Sequence, residues 1–307
     1  MTQTIQSVDV AICTWNRESL LQQTLQSVAM LSVPNDVSLT VLLVDNGSTD
    51  RTPEVIQEFV DSDVGFRVVA LKESRQGHTF SRNCGVAASL ADLILWTDDD
   101  VLLPSDWIEA YVAAAEAQPN VDFWGGQIEP EFVGGKPNWI DATWDIVQGC
   151  FAARDLGPES IELTEDRLPY GANFAVRGAV QRENLFSTEL GRRGDLVLGE
   201  DEIDFMKRLI AAGHRGRWVP SSPVKHLIPT KRATVDYVHD YFVGQGCILA
   251  ARGEAWHENV DQLRQESKRE RWQFQMKRYF SSPQTWVSHL VRSALARGQA
   301  DFLQGKK

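Results

Sequence analysis

Through roughly its first 120 residues the chain alternates nearly unbroken runs of apolar, β-favouring residues with segments of helical periodicity, and that order tightly limits how it can fold. "VDVAICTW" (8–15) precedes "ESLLQQTLQSVAML", in which Leu21, Leu25 and Val28 share a helical face. "SLTVLLVD" (38–45) precedes "TPEVIQEFV", where Thr52 and Pro53 have the chemistry of an N-cap and a first helical position. "FRVVALK" (66–72) precedes "TFSRNCGVAASLA", and "DLILWTD" (92–98) precedes "SDWIEAYVAAAEAQ". A strand that is apolar at almost every position is buried on both faces, and a helix between consecutive strands lets them run parallel. The prediction is an α/β domain whose parallel sheet is covered by helices on both sides.

In such a sheet the ligand crevice lies beyond the carboxyl ends of the strands. The chain sets its polar residues there: "TWNR" after the first strand, "DNGSTD" after the second, "ESRQGHTFSRN" after the third and "DDD" after the fourth. Each loop alone reads as an ordinary turn, because Asn and Gly tolerate positive φ and an aspartate run suits a solvated loop or a helix start. Four in succession point to one crevice. The triplet Asp98, Asp99 and Asp100 adds a demand of its own, since like charges this close resist simultaneous ionisation unless a cation or full hydration compensates. Oxygen ligation suits Mg²⁺ or Mn²⁺, and Mg²⁺ is typically held by one or two carboxylates together with substrate phosphates. A metal-bound phosphorylated substrate is the expected occupant.

Beyond residue 120 the order is less regular. "VDFWGGQIEPEF" and "YGANFAV" read as strands separated by a stretch rich in Trp, Gly and Pro. "GEDEIDFMKRLIAAGHRGRWVP" predicts a helix from Glu202 to Ala212, with Ile203, Met206, Leu209 and Ile210 at helical spacing, stopped at Gly213 and followed by a short strand. The net charge of -11 leaves no phosphate-neutralising excess, which excludes broad binding to nucleic acid. The charge is uneven: from Ala250 onward the chain holds eleven Lys or Arg against six Asp or Glu, a change of sign that suggests a change of role. Cys13, Cys84, Cys150 and Cys247 form no CxxC pair and read as free thiols of a reducing compartment. The start lacks a basic segment followed by an apolar one, and no apolar stretch reaches about 18 residues. A cytoplasmic protein without a transmembrane helix is expected.

Five segments taken together, "AICTWNRESLLQQTLQSV", "LLVDNGSTDRT", "RQGHTFSRNCGVAASLADLILWTDDDVLLPSDWI", "YGANFAVRGAV" and "LGEDEIDFMKRL", resemble in order and spacing the family 2 glycosyltransferases with the GT-A fold. The resemblance covers residues 7 to 230. It implies a mostly parallel central sheet flanked by helices, with a helical C-terminal extension. It implies a catalytic domain over 1–245, divided into a nucleotide-binding part (1–120) and an acceptor-binding part (121–245), and a basic extension over 246–307. It places Thr14, Asn16 and Arg17 near the nucleotide, Asp45 at the base, and Gly77, Arg82 and Asn83 along the nucleotide and sugar pocket. Asp98 then contacts ribose or metal-bound water and Asp100 ligates the metal, with Asp99 able to share either role.

The resemblance further implies Asp201 as the base that takes the proton of an acceptor hydroxyl, a task suited to a carboxylate. Glu200, Trp124, Gly126 and Asn173 fall on the acceptor side, and His226 is a candidate beside the metal or diphosphate. Lys231 and Arg232 either neutralise the diphosphate or are surface charges. The segment 130–168, with Trp139 and Trp144, departs most from the family pattern and is expected to hold much of the acceptor specificity. The implied reaction is metal-assisted inverting transfer from a nucleotide-diphosphate sugar to a carbohydrate or lipid-linked acceptor. Asp45 is compatible with uracil, which tilts the donor toward a UDP-sugar. Rival readings are a sugar-phosphate nucleotidyltransferase, whose Gly-rich loop is missing from "CTWNRES", and a non-catalytic protein of the same fold. In the tail, Trp272, Phe274, Met276, Tyr279, Phe280, Trp286 and Leu290 mixed with Arg and Lys suit either the inner face of a membrane or packing against the catalytic domain or a second subunit.

Overall fold

A computed structural model describes residues 4–188 and 201–305. In chain order the elements are β1 (Ser7–Thr14), α1 (Glu18–Val28), β2 (Ser38–Asp45), α2 (Thr52–Val60), β3 (Arg67–Lys72), α3 (His78–Ala88), β4 (Leu93–Asp98), β5 (Val101–Leu102), α4 (Trp107–Ala117) and β6 (Phe123–Phe132). They continue as α5 (Asn138–Ala142), α6 (Trp144–Val147), β7 (Glu162–Leu163), β8 (Phe174–Arg177), α7 (Gly178–Glu183), α8 (Asp201–Ala211), β9 (Gly216–Ile228), α9 (Val235–Ala251), α10 (Val260–Lys277) and α11 (Pro283–Leu303). Two compact units divide the described residues. One lies within Met1–Glu131, Ala152–Arg193 and Gly199–Leu227, the other within Phe132–Phe151 and Ile228–Lys307.

The first unit is built on a sheet in the order β3-β2-β1-β4-β8-β6-β9-β5, with β7 on β9. The four strands read from the sequence are parallel, and their registers pair Thr14 with Asp45, Asp45 with Lys72, and Cys13 with Asp98. The polar ends of four strands therefore finish in one row. β8 runs antiparallel to both β4 and β6, and β5 and β7 run antiparallel to β9, so the second half of the sheet is mixed.

Residues along each parallel strand alternate between two cores, as the two-residue period of a strand requires. Val8, Val10 and Ile12 of β1 join Leu21 and Leu25 of α1 and Trp107 and Tyr111 of α4. Ala11, Leu42, Ile94 and Trp96 point the other way, toward Val86 of α3 and Phe205 and Leu209 of α8. Both faces are covered. Two helix starts differ by one residue from expectation. Thr52 is the first helical residue of α2 rather than its cap, and its hydroxyl accepts from the Arg17 N–H instead (3.0 Å). α8 already includes Asp201 and ends at Ala211.

The second unit has its own core, drawn from Ile140, Val147, Phe151, Val238, Trp286 and Leu290. Trp139 and Trp144 belong here: Trp139 packs on Trp286 (5.5 Å between ring centroids) and Trp144 stacks on Phe151 (6.2 Å). α9 and α11 cross in backbone contact, because a Cβ on Gly298 would lie 1.9 Å from the Val243 carbonyl oxygen and one on Gly246 would lie 2.3 Å from that of Leu295. α10 is fastened to α11 by His289 on Glu270 (2.5 Å) and Arg292 on Glu266 (3.0 Å). The switch of charge near residue 250 coincides with the end of α9. No helix among the described residues is long and apolar enough to cross a membrane.

Candidate active site

The aspartate triplet forms the turn between β4 and β5, and its three members have different surroundings. Asp98 ends β4 and is half-buried, whereas Asp99 and Asp100 are buried. The Thr14 hydroxyl, at the end of β1, donates to Asp99 Oδ2 (2.7 Å). Arg17 Nη1, from the start of α1, lies 3.4 Å from Asp100 Oδ2. His226 Nε2, on β9, lies 3.3 Å from Asp100 Oδ1, held there because Val101 pairs with His226 and the Leu227 N–H donates to the Asp100 carbonyl (2.8 Å). Burial and the like charge of Asp100 push the Asp99 carboxyl up to about 7, against the opposing pull of Arg17 and the Thr14 hydroxyl. The turn is short of positive charge.

The chemistry of the donors suits a hard divalent cation. Among the described residues no three His, Cys, Asp or Glu side chains converge as a closed metal site. Asp100 and His226 nevertheless face one another with a carboxylate oxygen and an imidazole nitrogen. An octahedral ion that keeps waters and takes substrate phosphates asks no more of the protein than one or two such ligands.

Asp201 opens α8 with its side chain 3% exposed, and two basic side chains from one face of α3 reach it. Arg82 Nη1 is 3.1 Å and His78 Nδ1 3.4 Å from Asp201 Oδ2. Burial pushes the Asp201 carboxyl up, but Arg82 and His78 outweigh it and hold the group well below the usual carboxylate range. Glu202, 3.8 Å from Arg82, also accepts from the Gly171 N–H (3.2 Å), and burial together with the charge of Asp201 raises it. Arg82 is itself buried, with its guanidinium 5.1 Å from the ring of Phe186, 5.6 Å from Phe174 and 5.8 Å from Trp96. Burial works against its charge, yet the carboxylates of Asp201, Glu202 and Asp98 raise its affinity for the proton. Arg82 thus links the α8 start to the acidic turn. Cys13 lies in the same field, its thiol pushed up by burial and by Asp98, Asp201 and Asp99 against the pull of Arg82.

Other expected site residues form the frame. Asn16, at φ 52, accepts through Oδ1 from the N–H groups of Thr49 (2.7 Å) and Asp50 (3.3 Å), which ties the loop after β1 to the loop after β2. Asp45 Oδ1 accepts from the Ser48 N–H (2.9 Å). The Gly77 N–H donates to Asn46 Oδ1 (2.9 Å), and Asn46 Nδ2 donates to the carbonyls of Glu73 (3.0 Å) and Arg75 (2.8 Å). Asn46 thereby aligns the starts of two site loops.

Several polar side chains are consumed by the fold. Asn83 exchanges two hydrogen bonds with the Phe186 backbone (2.9 Å each). Asn173 is fully buried; it accepts from Trp107 Nε1 (2.9 Å) and the Tyr111 hydroxyl (2.8 Å), and donates to the carbonyls of Gln127 (2.9 Å) and Ser222 (2.7 Å). Gly126 sits against it, where a Cβ would meet Ser222 Oγ at 2.3 Å and Asn173 Nδ2 at 2.5 Å. Trp124 is fully buried, donates to Gln118 Oε1 (3.0 Å) and carries Arg177 on its ring, so it is a core side chain and presents no face to a ligand. Glu200 lies outside the described residues. His78 and Glu202 were not singled out from the sequence as site residues. The spacing of His78 and Arg82 on one helix held the clue, since positions i and i+4 share a face.

The chain is similar to known proteins over most of its length. The profile described as "Glycosyl transferase family 2" matches residues 9–172. A glucosyl-dolichyl phosphate glucuronosyltransferase of Haloferax volcanii is 26% identical over 235 residues, 75% of this chain and 72% of its own length. The succinoglycan biosynthesis protein ExoM of Rhizobium meliloti is 23% identical over 239 residues, 75% of this chain and 70% of its own. Among solved structures, the mannosyltransferase PcManGT from Pyrobaculum calidifontis in complex with GDP-Man and Mn²⁺ superposes with a TM-score of 0.56 at 17% identity, covering 99% of this chain and 75% of that one. GalNAc-T7 with UDP, GalNAc and Mn²⁺ gives a TM-score of 0.58 at 18% identity over 83% of this chain and 52% of that one.

Proposed function

The chain belongs to glycosyl transferase family 2, and from that premise we propose that it moves a sugar, with inversion, from a nucleotide-diphosphate donor to an acceptor hydroxyl, with Asp201 as the base. The observation that carries this reading is the approach of Asp201 to Arg82 (3.1 Å), a guanidinium whose charge Asp98 of the acidic turn also favours from a chain segment about a hundred residues away. Arg82 and His78 keep Asp201 ionised throughout the physiological range. The same pairing weakens it as a base. Its proton is therefore taken late, once the hydroxyl oxygen already bonds the anomeric carbon and has become acidic.

Thr14, Arg17 and Asp45 stand at the strand ends where the nucleotide and diphosphate of the donor would lie, with a UDP-sugar favoured by Asp45. Asp100 and His226, with Asp98 beside them, would hold Mn²⁺ or Mg²⁺. When bound, that ion supplies Lewis-acid neutralisation of the charge left on the diphosphate. Glu202 and the backbone around Gly171 border the acceptor side. The relatives named for a dolichyl phosphate-linked sugar and for succinoglycan support a lipid-linked or growing polysaccharide acceptor. In this reading 1–245 carries the reaction, 130–168 contributes to acceptor choice, and the extension 246–307 serves as a contact surface of a cytoplasmic enzyme.

Asp201→Asn removes the base while preserving shape. It is expected to abolish transfer and leave donor binding nearly intact, the latter read as the rise in melting temperature with a panel of nucleotide sugars, with and without Mn²⁺. Turnover at the wild-type rate in that variant would sink the assignment.

A further inference from the structure

The second unit divides the aromatic residues of the tail into two sets. Trp286 and Leu290 are buried and Phe274 packs with them, its ring 5.9 Å from Trp286. Trp272, Met276, Tyr279 and Phe280 are 57%, 50%, 75% and 87% exposed. Their spacing of four, three and one residues puts them along one outer face of α10 and the turn that continues it. A face this apolar, turned away from its own core, is normally covered by something.

The charges beside it indicate what. Lys268, Arg271 and Arg278 are exposed next to the stripe, and no carboxylate partner is recorded for them among the described residues. Arg271 and Arg278 also line a groove of about 740 Å³ between α9, α10 and α11, together with Phe274, Tyr279 and Arg297. Asp236 and Asp240 stand on its α9 wall, so the unpaired positive charge is concentrated at the α10 mouth. The chain as a whole carries -11, and this end carries the opposite sign. An anionic surface would attract α10, whose sign is opposite to that of the chain as a whole. Pairing the stripe with a second copy would instead bring Lys268, Arg271 and Arg278 of both chains together, at an electrostatic cost.

We propose that the exposed face of α10 docks on the phosphodiester headgroups of an anionic lipid bilayer, with Trp272, Met276, Tyr279 and Phe280 entering the headgroup layer and Arg271 and Arg278 meeting phosphates at the groove mouth. An interfacial helix of this kind lies in the plane of the surface, its aromatic and basic residues at the depth each prefers. The inference needs neither donor nor acceptor and stands or falls apart from the transfer reaction.

The test is co-sedimentation of the full chain with vesicles of phosphatidylcholine alone and of phosphatidylcholine mixed equally with phosphatidylglycerol. Wild type is expected to pellet with the mixed vesicles only, and to be released by high salt. A triple variant, Trp272→Ser with Tyr279→Ser and Phe280→Ser, should lower the partition coefficient by about tenfold or more while melting at the wild-type temperature, because all three side chains are exposed. Should that variant melt early, the pair Arg271→Glu and Arg278→Glu provides the same test through loss of the preference for anionic vesicles. Three results would overturn the proposal: no pelleting of wild type with anionic vesicles, unchanged pelleting of the variants, or lipid-free dimers that the triple variant abolishes. Release by millimolar inorganic phosphate at constant ionic strength would assign the arginines to a free anion and overturn it equally.

Discussion

Replacing Arg82 by leucine withdraws a cation from between two carboxylates that the fold keeps buried. In the intact chain its guanidinium is 3.1 Å from Asp201 and 3.8 Å from Glu202, and its side chain is 2% exposed. Leucine leaves His78, 3.4 Å away and 28% exposed, to face Asp201. Removing one partner of a buried pair costs about 3–5 kcal/mol, and loss of the guanidinium–ring contacts adds about 1 kcal/mol. At about 2–4 °C per kcal/mol for a unit of this size, the melting temperature at neutral pH should fall by roughly 8–24 °C. The loss carries a signature in pH. In wild type the folded value of Asp201 is depressed, so its contribution is complete above the ordinary carboxylate value near ~4 and fades as pH falls through the folded value. In the variant burial acts without Arg82, the folded value rises above the unfolded one, and protonation on acidification relieves the strain. The gap between the two proteins is therefore widest at neutral pH and narrows toward about pH 4. Thermal unfolding followed by circular dichroism across that range reads it directly. Arg82→Lys, which keeps the charge but not the fork, should recover part of the loss. A gap under about 1 kcal/mol, or one that is flat with pH, would refute the reasoning.

Asp100→Asn should remove the Mn²⁺ dependence of donor-induced stabilisation in a thermal-shift titration; a metal effect of unchanged size would point to other ligands. Gly126→Ala forces a Cβ to within 2.3 Å of Ser222 Oγ and is expected to destabilise by about 1–3 kcal/mol, measurable by urea unfolding, where an unshifted midpoint would contradict the close approach. Gly298→Ala places a Cβ 1.9 Å from the Val243 oxygen and should lower the calorimetric stability of the second unit by about the same 1–3 kcal/mol. Donor binding by that variant should stay at the wild-type level.

The parallel half of the sheet was legible because its strands are apolar at nearly every position and end in polar residues, a pattern that sets direction and site at once. The antiparallel half was not. β8 has four fully buried residues, and nothing in "FAVR" says that it inserts between β4 and β6. The aspartate triplet was found, but which members are buried depends on Thr14, Arg17 and His226, which the chain brings from three other places. Amide side chains were the hardest to read, since the partners of Asn83 and Asn46 are backbone groups and Asn173 divides its bonds between backbone carbonyls and the buried Trp107 and Tyr111. The resemblance put Trp124 on the acceptor side, and the fold makes it a core ring. For the aromatic residues of α10 and α11, composition left the exposed and buried sets mixed, and the helical phase of the folded unit separated them.

The pairing of β5 with β9 also has a consequence in time. At roughly 5–20 residues per second of synthesis, about 6–25 s pass between the appearance of Asp100 and that of His226. β8, which closes the flank of β4, likewise arrives after the parallel strands are complete. A nascent chain ending near residue 120 can form β1 to β4 with the β4 edge bare, and a bare edge is a template for pairing with another chain. Once residue 228 has left the ribosome, the same stretch gains both its missing strand and the imidazole beside its acidic turn. Chaperone demand during synthesis should therefore peak within that interval and end with it.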